Sequence, residues 1–409
     1  MKRVVVTGMS GITAIGSDWA TVEQNLRNNV SGIERMADWD RYADVNTRLG
    51  GPVLDFKTPA HYTRKMTRTM GRVSLMAVRA TEMALQDANL LDSPEIRENG
   101  AMGISYGSCA GSTDAINEFG SLVSTGTMDN FNATTYIRMM SHTASVNIGL
   151  FFGLKGRIIP TCSACTSGSQ GVGFAYEAIK FGRQKMMVAG GAEELCISEA
   201  AVFDTLFATS LKNDKPKTTP SPFDKDRDGL VIGEGACTLV LEEYEHAKAR
   251  GAKIYAEIVG FGNNSDGDHA THPNPETMGL AMTLALQDAG LDTAAIGYVN
   301  AHGTGTEQGD IAESNVTRKV FGRAVPLSSM KGHLGHTLGA CGAVESWWCV
   351  EMMNRDWYAP TLNLKNVDPR CGDVDYIVNG GRSMQNEYVM NNNFAFGGIN
   401  TSLIFRKLA

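Results

Sequence analysis

A short stretch of this sequence occurs twice. Ala84-Leu85-Gln86-Asp87-Ala88-Asn89-Leu90 returns as Ala285-Leu286-Gln287-Asp288-Ala289-Gly290-Leu291. Each copy closes a pattern that predicts a helix and is followed by a short apolar run into a glycine loop, at 100–111 and at 296–309. Later in each half come a strand, a turn of small polar residues and a second helix. A single short match could arise by chance; the shared order of elements around it favours a duplicated chain. No Pro- or Ser-rich linker divides the halves, so both are expected to share one core.

Short apolar runs bounded by glycine alternate with amphipathic stretches, which predicts an α/β fold. Strands are expected at 4–7, 101–105, 186–189, 238–242, 254–260, 298–300, 375–378 and 389–392. Helices are expected at 67–88, 167–181, 278–289 and 340–353. Lys2 and Arg3 before an apolar run resemble the start of an export signal, but Thr7-Gly8 cuts that run too short. The segment reads instead as a buried first strand. No stretch approaches the ~18 uninterrupted apolar residues of a membrane helix. The net charge of −7 argues against a nucleic-acid partner, which needs a basic surface. Eight cysteines are scattered through a chain too large to need disulfide staples, which predicts free thiols in a reducing cytoplasm.

Four segments carry candidate chemistry. In TCSACTSG at 161–168, Cys165 falls at the start of an expected helix, where unpaired N–H groups and the helix dipole favour a thiolate. The same thiol reads alternatively as a buried structural cysteine, or as a redox pair with Cys162. A metal pair is disfavoured, because no second Cys/His pair stands at ligand spacing. In NAHGTGT at 300–306, His302 ends a strand and opens a Gly/Thr loop, presenting its imidazole to a cleft or simply to solvent. In SMKGHLGHT at 329–337, Lys331 and His336 flank small residues before a helix. His333 reads as structural, since the acidic residue of a zincin is missing. In NFAFGGIN at 393–400, two aromatics beside paired glycines let backbone N–H groups face a site while a ring gates it.

Together, in order and spacing, these segments resemble the elongating β-ketoacyl-acyl-carrier-protein synthases of type II fatty-acid synthesis. The resemblance runs nearly end to end and includes VAGGAE at 188–193 and PFDKDRDG at 222–229. It implies a thiolase-like fold, five layers α-β-α-β-α from two similar halves, set at 1–250 with Cys165 and 251–409 with His302 and His336. It implies no cofactor and no metal. Cys165 would take the acyl chain from an acyl carrier protein, its own N–H and that of Phe396 forming an oxyanion hole. His302 and His336 would serve malonyl-carrier decarboxylation, with Lys331 orienting His336. Thr304 and Thr306 would bind the pantetheine arm, Phe396 would gate the pocket, and Cys109, Ala110 and Phe203 would line it. Such enzymes are usually homodimers; a heterodimer with a paralogue is the variant.

Arg64, Lys65 and Arg68 form a basic patch suited to an acidic carrier, with Arg72 continuing the four-residue spacing if one helix spans them. An ordinary solvated face, or an inward ion pair of Arg68, is the alternative. The chain departs from the family at Ala395 and Ile399, at Gly332-His333-Leu334, and in the small residues of 107–111. These departures point toward a dedicated pathway, such as aryl-polyene or polyketide-like synthesis. A degradative thiolase would need a second catalytic cysteine, and Cys371 lacks the glycine-flanked setting. The alternative within the family is a weakly active or regulatory subunit paired with a chain-length-factor paralogue.

Overall fold

The computed structural model describes residues 1–129 and 131–408. Ten strands carry the framework: β1 (Val4–Ile12), β2 (Met102–Gly107), β3 (Ile158–Thr161), β4 (Met186–Glu193), β5 (Gly235–Glu243), β6 (Ala256–Ser265), β7 (Ile296–Asn300), β8 (Pro326–Ser328), β9 (Tyr388–Ala395) and β10 (Ile399–Arg406). Their order is β3-β2-β4-β5-β1, then β6-β10-β9-β7-β8, with a short edge strand Asp375–Tyr376 beyond β8. Outward from the seam, each half therefore runs first, fifth, fourth, second, third strand. The senses repeat as well. β2 is parallel to β3 and β4, and β7 to β8 and β9. β5 is antiparallel to β4 and β1, and β10 to β9 and β6. The halves join where β1 pairs with β6 over Val4–Val6 alone. A repeated order with repeated senses is the topology a duplication leaves.

Four long helices complete the layers: α1 (Arg72–Asp87), α2 (Ser167–Lys180), α3 (Pro275–Ala289) and α4 (Cys341–Asn354). α1 covers β1 and β5 on one outer side, and α3 covers β6 and β10 on the other. α2 and α4 pack on each other and on strands of both halves. The result is the thiolase-like α-β-α-β-α stack. In α4, 12 of 14 residues are buried, as a helix enclosed on all sides requires.

The repeated heptapeptide is a packing device. A Cβ on Gly8 of β1 would overlap Ala84 O and Ala88 Cβ; on Gly260 of β6 it would overlap Ala285 O and crowd Ala289 Cβ. Asp87 accepts from Met9 N at 2.9 Å, and Asp288 from Phe261 N at 3.2 Å. Each half thus lays an Ala-x-x-Asp-Ala turn directly on a strand glycine.

The helix expected over 67–88 is broken. A short helix, Arg64–Thr67, ends before α1 begins at Arg72. Gly71 caps α1 where any Cβ would strike Ser112, and Arg72 turns inward to Glu234 at 2.7 Å. Arg64, Arg68 and Arg72 therefore do not share one helical face.

Candidate active site

A strained turn places the cysteine. Between β3 and α2, Ala164 takes φ +49°, a left-handed conformation that costs a residue with a Cβ about 1–2 kcal/mol. Ser167 holds the turn: its Oγ donates to Ala164 O at 2.7 Å and accepts from Ser163 N at 2.9 Å. Cys165 emerges at the helix start, 3% exposed. Burial pushes its thiol up, against the Phe396 N–H, the Lys331 charge and its own N–H, and the net shift is upward. The helix start alone argues for a thiolate; enclosure overrides it.

His302 leaves the end of β7 into a loop clamped from below by one helix, Glu307–Phe321. Glu313 accepts from His302 N and Gly303 N, both at 2.7 Å, and Asp310 accepts from Gly305 N at 3.1 Å and Phe223 N at 2.7 Å. Burial lifts these carboxyls to about 8 and about 6 respectively. On the ring, Lys331 Nζ stands 3.3 Å from Nδ1 and Asn393 Nδ2 3.5 Å from it. Glu345 anchors both donors, at 2.7 Å to Lys331 and 2.6 Å to Asn393. Burial works against the Lys331 ammonium, but Glu345, with Cys341 and Glu313, outweighs it and the net shift is upward.

The tautomers follow from these partners. His302 Nδ1 faces donors, and His336 Nδ1 accepts from Leu338 N at 3.2 Å, so each ring carries its proton on Nε2. His336 Nε2 is buried with no partner among the described residues. Burial first, then the Lys331 charge, hold both histidines well below their ordinary value. Both are neutral donors at neutral pH. Their rings meet edge to face at 5.0 Å, and Cys165 Sγ and one nitrogen from each lie within 4.8 Å of one another. Three such atoms could ligate a metal by count, but a buried ammonium beside them repels a cation.

A cavity of about 530 Å³ opens onto this cluster. Thr304 and Thr306 stand on its wall, with their hydroxyls 2.8 Å apart. Phe396 is 37% exposed at its side and meets Phe203 edge-on at 6.0 Å. Gly398, at φ +73°, follows it where a Cβ would press on Asp266.

A family model described as the β-ketoacyl synthase N-terminal domain matches residues 1–247, and the C-terminal domain model of the same family matches 255–365. The chain belongs to the β-ketoacyl synthases. It is thus a condensing acyltransferase. It is 39% identical over 422 residues to 3-oxoacyl-[acyl-carrier-protein] synthase 2 of Vibrio harveyi, covering 100% of this chain and 99% of that protein. A β-ketoacyl synthase from Burkholderia phymatum STM815, known from a crystal structure, superposes with a TM-score of 0.99 at 58% identity, each chain covered in full. AntDE:AntF, a type II PKS acyl-carrier protein in complex with its ketosynthase bound to the hexaketide, gives 0.87 at 30% identity, also covering 100% of both chains.

Within this synthase, one expected pairing is corrected. Lys331 contacts His302, not His336, because Glu345 on α4 holds the ammonium on the His302 side. His333 lies apart from the cluster, its ring nitrogens facing Val30 O at 2.9 Å and Pro360 O at 3.4 Å. Cys109 and Ala110 sit outside the open cavity, Cys109 Sγ 3.9 Å from Ser167 Oγ. Glu193 binds their backbone N–H groups and also that of Gly339, so it ties this loop to the turn after His336. Arg64, Lys65 and Arg68 are exposed and outside the cavity lining. Glu313, Glu193 and the role of Asn393 escaped the sequence reading. A signal existed for Asn393: Asn391, Asn392 and Asn393 form a polar run inside an apolar strand, and all three are fully buried.

Proposed function

We propose that the chain joins an acyl group carried on Cys165 to a two-carbon unit from malonyl-acyl-carrier protein. The observation that carries this reading is the convergence, within 4.8 Å, of Cys165 Sγ with one nitrogen from each of two neutral imidazoles, His336 keeping its Nε2 unpartnered. In the first step Cys165 attacks the carrier thioester, its proton leaving on the carrier thiol. The carbonyl oxygen is held by the N–H groups of Cys165 and Phe396. Malonyl-carrier then enters past Thr304 and Thr306, which hold its pantetheine arm. It loses carbon dioxide, and the enolate oxygen accepts from His302 and His336, which as donors do not quench the carbanion. The carbanion attacks the acyl-Cys165 carbonyl, and Cys165 departs as thiolate to be reprotonated. Lys331 and Asn393 keep His302 in the donor tautomer.

The carrier protein docks on Arg64, Lys65 and Arg68, exposed cations on a chain of net charge −7. The complex of a related ketosynthase with its carrier supports that partner. The working unit is a homodimer, which the open edge of β3 and exposed Ile116, Phe119 and Val123 support. Eight free thiols suit the cytoplasm, and no helix among the described residues is long and apolar enough to cross a membrane. Small residues at 107–111 and the likeness to a type II PKS ketosynthase support a dedicated polyene or polyketide-like pathway. Reconstitution with acyl- and malonyl-carrier tests the reaction. 3-Oxoacyl-carrier should form with wild type and not with Cys165→Ala, which cannot hold the acyl chain; condensation by that variant would refute the reading.

A further inference from the structure

Glu199 is the one carboxylate residue among the described residues whose two oxygens are both buried with no well-formed hydrogen bond, the Cys196 N–H at the start of its own helix being the one donor that acts on it. It lies on the short helix Ile197–Asp204 and is 9% exposed. Burying a carboxyl with no partner is destabilising, and an apolar side chain would avoid that cost. Stability of the fold therefore does not account for it.

Glu199 lies off the lining of the open cavity, one turn of helix behind Phe203, which is on that lining. Phe203 follows one helical turn later on the same face, and its ring meets Phe396 at 6.0 Å. Ala200, Leu230, Ile197, Phe203 and Cys109 form one apolar cluster around this helix. The charge of Glu199 is felt at the Cys109 thiol, which links the carboxyl to the loop at 107–111. Burial, then Glu193, Cys196 and Glu194, hold the Glu199 carboxyl well above the ordinary carboxylate range, against the lesser pull of the Cys196 N–H. At neutral pH it is an uncharged acid with one O–H to donate and one oxygen to accept.

We infer that Glu199 is a specificity-determining residue of the acyl pocket, hydrogen-bonding an oxygen-bearing group, a hydroxyl or a carbonyl, on the chain carried by Cys165. The inference rests on the reading that Cys165 carries that chain. A plain alkyl chain leaves the carboxyl unpaired, whereas an oxygen at the right depth satisfies it. Sites built to pair a polar group discriminate strongly against analogues lacking it.

The test compares acyl-carriers of equal length that differ by one oxygen at successive chain positions, read as kcat/KM for Cys165 acylation by intact-protein mass. Wild type should favour an oxygenated chain at one position by about tenfold or more. Glu199→Met should bring that ratio to one or below while keeping alkyl acylation, and should melt no lower than wild type. Glu199→Gln, which keeps both hydrogen-bonding functions, should retain part of the preference. The same ratio in wild type and Glu199→Met, or no preferred oxygenated chain at all, overturns the inference. An unchanged ratio is also what a water or a second copy satisfying Glu199 would give. Failure of any carrier to acylate wild-type Cys165 would instead bring down the parent reading, and this inference with it.

Discussion

Cys165 is enclosed so completely that the helix dipole does not decide its protonation. Burial holds its thiol above the ordinary value of 9, and Lys331 is a charge that acts to lower it. Alkylation by iodoacetamide follows the thiolate fraction, so its rate should climb with pH to a midpoint above 9. The paired variant Lys331→Met/Glu345→Gln removes the ammonium without stranding its carboxylate. It should move that midpoint higher; a midpoint that falls would show that Lys331 does not act on the sulfur. Cys162 is exposed, and its Sγ donates to Cys109 O at 3.4 Å. Cys162→Ala should therefore keep most activity in the condensation assay, and a loss matching Cys165→Ala would restore the redox-pair reading. The histidine pairings show where residue-level reading of the sequence stops. Spacing placed Lys331 near His336, but Glu345, fourteen residues along in the buried α4, decides which ring the ammonium meets.

At the scale of elements, the recurrence of Ala-x-x-Asp-Ala is explained by strand glycines that admit a helix backbone. Gly8→Ala and Gly260→Ala should each destabilise the fold by about 1–3 kcal/mol through overpacking, measured by urea unfolding. Neutral substitutions at both Gly8 and Gly260 would mean the repeat is not a packing contact. The strands and the central helices were legible because their patterns are local: glycine-bounded apolar runs for the strands, a stretch rich in Trp, Met, Val and Cys for α4. The break before α1 was not, because its causes, Ser112 against Gly71 and Glu234 on Arg72, come from distant parts of the chain. The same holds for Glu313, whose clamp on the His302 loop exists only once Glu307–Phe321 folds back beneath it.

As a whole the molecule is a negatively charged body with a local basic patch and a site assembled across two halves. Neither half holds the site alone, since Cys165 comes from the first and His302 and His336 from the second. Docking on Lys65 and Arg68 predicts that reversing both to Glu raises KM for carrier-bound substrates by about tenfold, an effect that fades with salt. Small pantetheine thioesters should react as before; equal damage to both substrate types would place the carrier elsewhere. The measurement that reaches the centre of the account separates the two half-reactions. His302→Ala and His336→Ala should each still form the acyl-Cys165 adduct by intact mass. Each should release carbon dioxide from malonyl-carrier about 10²–10³-fold more slowly, the cost of one lost donor to a developing oxyanion. Carbon dioxide released at the wild-type rate by either variant would contradict the account.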